Sequence, residues 1–93
     1  MTLNDTLRIP DNVATRKLAD ETVLLNLETG IYFGLDAVGS RFLELLEQDG
    51  KIGLAHQIML EEFEVTPRTL EIDLLRLCDE MRSKGLLEIV DFR

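Results

Sequence analysis

No part of the chain restricts its fold more than the segment Glu21 to Asp36, ETVLLNLETGIYFGLD. Val23, Leu25 and Leu27 recur at every second position, which places them on one face of a strand, and Ile31, Phe33 and Leu35 do the same on a second strand. Glu28-Thr29-Gly30 lies between them. A three-residue hairpin loop ends on a residue in the left-handed region, which glycine enters without a Cβ clash. This register pairs Leu27 with Ile31, Leu25 with Phe33 and Val23 with Leu35, and it gathers all six apolar side chains on one face. Val13 to Leu18 reads as a weaker third strand.

The remainder is helical. Val38, Phe42, Leu45 and Leu46 share one side of a first helix that ends near Gln48-Asp49-Gly50. A second runs from about Ile52 to Phe63, with Ala55, Ile58 and Met59 on its apolar side. A third opens with Thr66 as N-cap and Pro67 at its first position, and closes at Lys84-Gly85. Leu86, Leu87, Ile89, Val90 and Phe92 form an apolar tail that packs back on the core or adds a short strand. The expected fold class is α+β: a three-stranded antiparallel sheet followed by three helices, in the order of a winged-helix-like domain entered from its strands. One domain is expected over residues 1–93, with strands over about 7–35, helices over about 37–84 and a short C-terminal tail.

Composition narrows the function classes. The 93 residues are 45% hydrophobic, enough for one modest core without staples. A single cysteine, Cys78, allows no internal disulfide, and no Cys/His cluster points to zinc. The opening residues lack a basic region followed by an apolar one, and apolar runs are far too short for a membrane span, so a soluble cytoplasmic protein without membrane association is expected. The net charge of −8 disfavours nucleic acid, because neutralising phosphate supplies most non-specific affinity for it.

The third helix carries the same message. Leu70, Leu74, Leu77, Cys78 and Met81 form one apolar stripe, as core residues do. Arg68, Arg76, Arg82 and Lys84 are balanced by Glu71, Asp73, Asp79 and Glu80, unlike a helix built to read a major groove. Ile72 and Leu75 lie off the stripe, on the side shared with Arg68, Asp79 and Arg82. They either widen the buried face or line a groove for an apolar anchor from a partner.

Catalytic chemistry finds little support. His56 has no nucleophile or metal partner near it in sequence and reads as a surface or boundary histidine. Cys78 reads as a small core residue. Glu44, Glu47, Glu61 and Glu62 are helix-surface carboxylates with nothing to drive their pKa values apart. No Walker, Rossmann or metal-ligand spacing occurs. The expectation is no enzyme, no catalytic residue, no metal and no cofactor. The hairpin is more promising. If its second strand lies at the sheet edge, Ile31-Tyr32-Phe33-Gly34-Leu35 offers unpaired backbone groups with neither charge nor proline to protect them. Such an edge is covered by another segment, is an aggregation hazard, or docks an extended peptide.

The run Leu24-Leu25-Asn26-Leu27-Glu28-Thr29-Gly30-Ile31-Tyr32-Phe33-Gly34-Leu35-Asp36-Ala37-Val38-Gly39 resembles the PqqD-like family. So do Phe63-Glu64-Val65 with Leu70, Asp73-Leu74 and Leu77, and then Gly85-Leu86-Leu87, and the likeness spans about residues 10 to 90. The resemblance implies a winged helix-turn-helix-like recognition element for ribosomally made, modified peptides, one that binds the leader of a precursor peptide as an added strand against the third helix. The implied partners are that leader and a modifying enzyme, such as a radical SAM enzyme or a leader peptidase. Carried over, the peptide's backbone partners are Ile31, Tyr32, Phe33, Gly34 and Leu35, and the helix contacts come from the side bearing Ile72, Leu75, Asp79 and Arg82. Members devoted to pyrroloquinoline quinone usually carry Pro-Glu-Gly in the hairpin, Cys-Asp-Gly after the first helix and a tryptophan within it. This chain has Glu28-Thr29-Gly30, Gln48-Asp49-Gly50 and Phe42 nearby, so it is more similar to stand-alone members serving lasso-type peptides. The alternative is a winged-helix transcription regulator. An open strand edge also makes a strand-swapped dimer conceivable beside a monomer.

Overall fold

The computed structural model describes residues 1–90. Its elements follow the order β1 (Leu7–Arg8), β2 (Val13–Leu18), β3 (Glu21–Asn26), β4 (Tyr32–Leu35), α1 (Ala37–Asp49), α2 (Ile52–Glu62), α3 (Pro67–Ser83) and β5 (Glu88–Ile89). The fold is α+β, with β2, β3 and β4 forming a three-stranded antiparallel sheet ahead of three helices. The C-terminal segment does add a short strand: β5 pairs antiparallel with β1 in a separate two-stranded ribbon. Phe92 lies outside the described residues.

Local signals set the helix ends. The Asp36 carboxylate accepts from Gly39 N–H at 2.9 Å and starts α1. Thr66 Oγ1 accepts from Thr69 N–H at the head of α3, with Pro67 next to it. Gly50 ends α1 at φ +75°, packed so tightly that a Cβ there would sit 2.0 Å from the Leu7 carbonyl oxygen. The apolar faces of the three helices meet β3 and β4 in one core around Leu24, Phe42, Leu43, Ile52, Met59, Cys78, Met81 and Leu86, all nearly or wholly shielded from solvent. Burying one such leucine stabilises the fold by roughly 2 kcal/mol.

The hairpin register departs from expectation by one residue. Leu24 opposes Phe33, Leu25 opposes Tyr32 and Val23 opposes Gly34. The inner face of β3 is therefore Thr22, Leu24 and Asn26, all buried. Of the six residues expected to share the core face, Phe33 and Leu35 do so, Val23 and Leu25 lie half-buried on the opposite face, and Leu27 and Ile31 are exposed at the loop. Asn26 is the cause. Its side-chain Oδ1 accepts from Glu28 N–H and Thr29 N–H at 2.9 and 3.0 Å, and its main-chain carbonyl accepts from Gly30 N–H at 2.8 Å. These bonds close a four-residue loop, Leu27 to Gly30, where a three-residue loop was expected. Gly30 does take the left-handed conformation, at φ +77°. Asn26 Nδ2 also donates to the Gly85 carbonyl at 3.0 Å, tying the turn to the end of α3. A buried amide satisfied in this way outweighs one more apolar contact.

His56, expected at the surface, is buried, with 7% of its surface exposed. Its Nε2 donates to the Pro67 carbonyl at 2.9 Å and ties α2 to the start of α3. Arg41 makes two hydrogen bonds to the Glu62 carboxylate, at 2.7 and 2.8 Å, which hold that carboxyl below its ordinary pKa. Lys17 reaches Glu44 at 2.9 Å and joins β2 to α1.

Candidate functional site

The sheet order β2-β3-β4 leaves two edges, and they differ in character. β2 carries Arg16 and Lys17, the usual protection of an edge. β4, with the sequence YFGL, carries no charge and no proline. Which of its backbone groups are free follows from the ladder. Asn26 N–H donates to the Ile31 carbonyl at 2.8 Å, so that opposed pair is a hydrogen-bonded one. Hydrogen-bonded pairs alternate along an antiparallel ladder, so Phe33 and Leu35 turn their N–H and C=O groups toward β3. Tyr32 and Gly34 turn theirs outward.

Side chains alternate in the opposite sense. Phe33 and Leu35 point inward and line a groove of about 670 Å³ between β4, the start of α1, the α2–α3 connection and the first half of α3. Leu35, Leu70 and Leu74 are buried in it; Phe33, Phe63, Val65 and Leu77 are half-buried along its sides. Val38, 40% exposed, is at its rim. Gly39 lies close under Leu35, its Cβ position 3.2 Å from a Leu35 methyl carbon, which lets α1 start against the end of β4. At the opposite end, Lys84 Nζ stands 6.0 Å from the centre of the Phe33 ring. Open backbone at the edge and an apolar trough beside it are the two requirements for adding an extended peptide to a sheet.

The expected site residues divide. Phe33, Gly34 and Leu35 line the groove, and Tyr32 stands beside them, its side chain 73% exposed on the outer face of the sheet. Ile31 belongs to the loop end. Ile72, Leu75, Asp79 and Arg82 occupy a different flank of α3. Ile72 is 40% exposed, Leu75 packs against the core, and Asp79 and Arg82 pair at 3.8 Å beside a hollow near β5. On α3 the groove instead takes Leu70, Asp73, Leu74 and Leu77. Periodicity had already put the three leucines in the core stripe, and it gives no sign of which border of that stripe faces the sheet. Phe63 and Val65 were visible only as parts of a motif.

Among the described residues there is no cluster of His, Cys, Asp and Glu able to hold a metal ion. The Cys78 thiol is buried, and burial pushes its pKa up to about 12, the reverse of an activated nucleophile. No described helix is long and apolar enough to cross a membrane. On α3, Arg68 pairs with Glu71 at 3.7 Å, so with Asp79–Arg82 two of its arginines are engaged by carboxylates one turn away.

The profile described as Coenzyme PQQ synthesis protein D (PqqD) matches residues 21–87, which contain β3, β4, all three helices and the whole groove. The chain belongs to the PqqD family. Two solved structures resemble this PqqD-family chain. One, "TbiB1 in Complex with the TbiA(beta) Leader Peptide", is 40% identical, covers 91% of this chain and 99% of its own, and superposes with a TM-score of 0.84. Another, "Lasso peptide synthetase B1 complexed with the leader peptide", shares the fold at a TM-score of 0.75 with 18% identity, over 89% of this chain and 98% of its own. No curated protein sequence matches the chain.

Proposed function

We propose that this PqqD-family protein binds the leader region of a ribosomally made precursor peptide, of the lasso type, and presents it to a modifying enzyme or leader peptidase. The observation that carries this reading is the bare edge of β4, with Tyr32 and Gly34 turned outward above an apolar groove. A leader laid along β4 gains main-chain hydrogen bonds from these two residues and drops alternate side chains between Phe33, Leu35, Leu74 and Leu77. The 40% identical structure, whose name places it in complex with a leader peptide, supports the same use of the fold here. The protein contributes no catalytic group of its own; the enzyme partner supplies the chemistry. The Ile72–Leu75–Asp79–Arg82 flank lies around α3 from the groove and is left out of the contact surface.

Calorimetric titration with the leaders of precursor peptides encoded beside this gene tests the proposal. Saturable binding with a negative heat-capacity change, as burial of apolar surface requires, is the expected result. No heat and no shift of amide resonances along β4 with any of those leaders overturns it.

A further inference from the structure

The charge that lines the groove has a single sign. Three carboxylates line it, Asp36, Glu64 and Asp73, and no cation does among the described residues. Asp36 directly follows β4, Glu64 lies in the α2–α3 connection and Asp73 in the first half of α3. Asp36 commits one oxygen to capping α1 through Gly39 N–H. Glu64 and Asp73 are exposed and have no salt-bridge partner among the described residues. Lys84, which is not part of the lining, stands 6.0 Å from the centre of the Phe33 ring. At about 3.3 Å per strand residue, Phe33 and Asp36 are separated by roughly 10 Å.

We infer that the groove selects a peptide carrying lysine or arginine where it passes Glu64 and Asp73, and disfavours one carrying a carboxylate there. This rests on the proposed leader binding and adds to it a chemical class of ligand. The protein's net charge of −8 works in the same sense, drawing a basic segment in and repelling an acidic one. Main-chain bonds along β4 are blind to sequence, and the apolar floor discriminates weakly between aliphatic side chains. A like charge held beside Glu64 and Asp73 supplies the rejection that those contacts lack.

The test compares the wild type with Glu64→Gln/Asp73→Asn, titrated with the leader encoded beside the gene at about 20 mM and about 500 mM salt. Both side chains are solvent-exposed, so the double variant should fold normally, which circular dichroism checks. Asp11→Asn/Glu47→Gln, the first ahead of β2 and the second near the C-terminal end of α1, makes the same change in net charge away from the groove and serves as control. The expected result is a roughly fivefold loss of affinity at low salt, shrinking to less than about twofold at high salt, with the control close to wild type. Replacing the leader's basic residues with glutamine should reproduce the loss in the wild type and add nothing in the double variant. Equal weakening by the control, or salt-independent binding unaffected by the double variant, overturns the charge selection while leaving leader binding intact. A leader that binds no variant and no wild type overturns both.

Discussion

Replacing Gly34 with proline separates binding from folding at a single atom. The N–H of Gly34 points away from β3 and takes no part in the β3–β4 ladder. Proline removes that donor and puts its ring carbons where the carbonyl of an added strand would sit. An edge position with its N–H facing out is also where a sheet tolerates proline. Loss of one main-chain hydrogen bond is worth about 1 kcal/mol, or roughly a fivefold rise in Kd, and the ring's bulk makes this a lower bound. Folding stability should change by less than about 1 kcal/mol, since the ladder is intact and proline also restricts the unfolded chain. The informative contrast is Phe33→Pro, one residue earlier, which removes a donor aimed at β3 and should destabilise the sheet itself. The assay is calorimetric titration with the leader, paired with urea unfolding of each variant. If Gly34→Pro folds as the wild type does and binds the leader equally well, strand addition along β4 is wrong. If Phe33→Pro and Gly34→Pro destabilise alike, the alternation of inward and outward groups is wrong.

Asn26→Ala removes acceptors for Glu28 and Thr29 and the donor to Gly85, and it should lower stability by about 2–3 kcal/mol, a fall in Tm on the order of 10–20 °C by calorimetric scan. Gly50→Ala must hold a Cβ at positive φ against the Leu7 carbonyl and should cost at least about 2 kcal/mol in urea unfolding, whereas Gly34→Ala, with open space around its Cβ position, should change stability by less than about 1 kcal/mol. Cys78 should resist alkylation by iodoacetamide at about pH 8 until the protein is unfolded, because its thiol is held protonated. The sign of the linkage follows: the raised pKa favours the fold fully below the ordinary thiol value of 9.0, and that contribution is lost as pH rises toward about 12, so urea midpoints should fall over this interval and fall less in Cys78→Ala.

What the sequence disclosed and what it withheld divide along the range of the interactions involved. Thr66 with Pro67 and the glycines after α1 and α3 act within a turn of where they stand, and the end of α1 and both ends of α3 were legible from them. The edge position of β4 was legible as a possibility because charge and proline are missing from it. The β3 face was not, since Val23-Leu25-Leu27 is the more apolar alternation, yet Thr22-Leu24-Asn26 is the set turned inward. The choice between them is made by Asn26, whose partner Gly85 is 59 residues away. The strand part of the expected site lies along the groove despite this error, because the β4 alternation holds for Phe33 and Leu35. The helix part, Ile72, Leu75, Asp79 and Arg82, lies outside the groove, because Leu70, Leu74 and Leu77 serve core and groove at once and the flank that meets β4 is fixed by how α3 crosses the sheet.

The short β1–β5 ribbon bears on how the domain can be connected to other polypeptides. Its strands hold the incoming and outgoing chain side by side, at Leu7–Arg8 and Glu88–Ile89. Leu7 packs against Gly50 at the C-terminal end of α1, whereas the groove lies at that helix's N-terminal end, about 18 Å away along its axis. The ribbon therefore lies against the Gly50 end of α1, whereas β4 leads into the opposite end of that helix. The domain can thus be tethered to an enzyme, in nature or by design, with its peptide-holding edge still free, and a linker of modest length could deliver a captured peptide to the attached active site at high effective concentration.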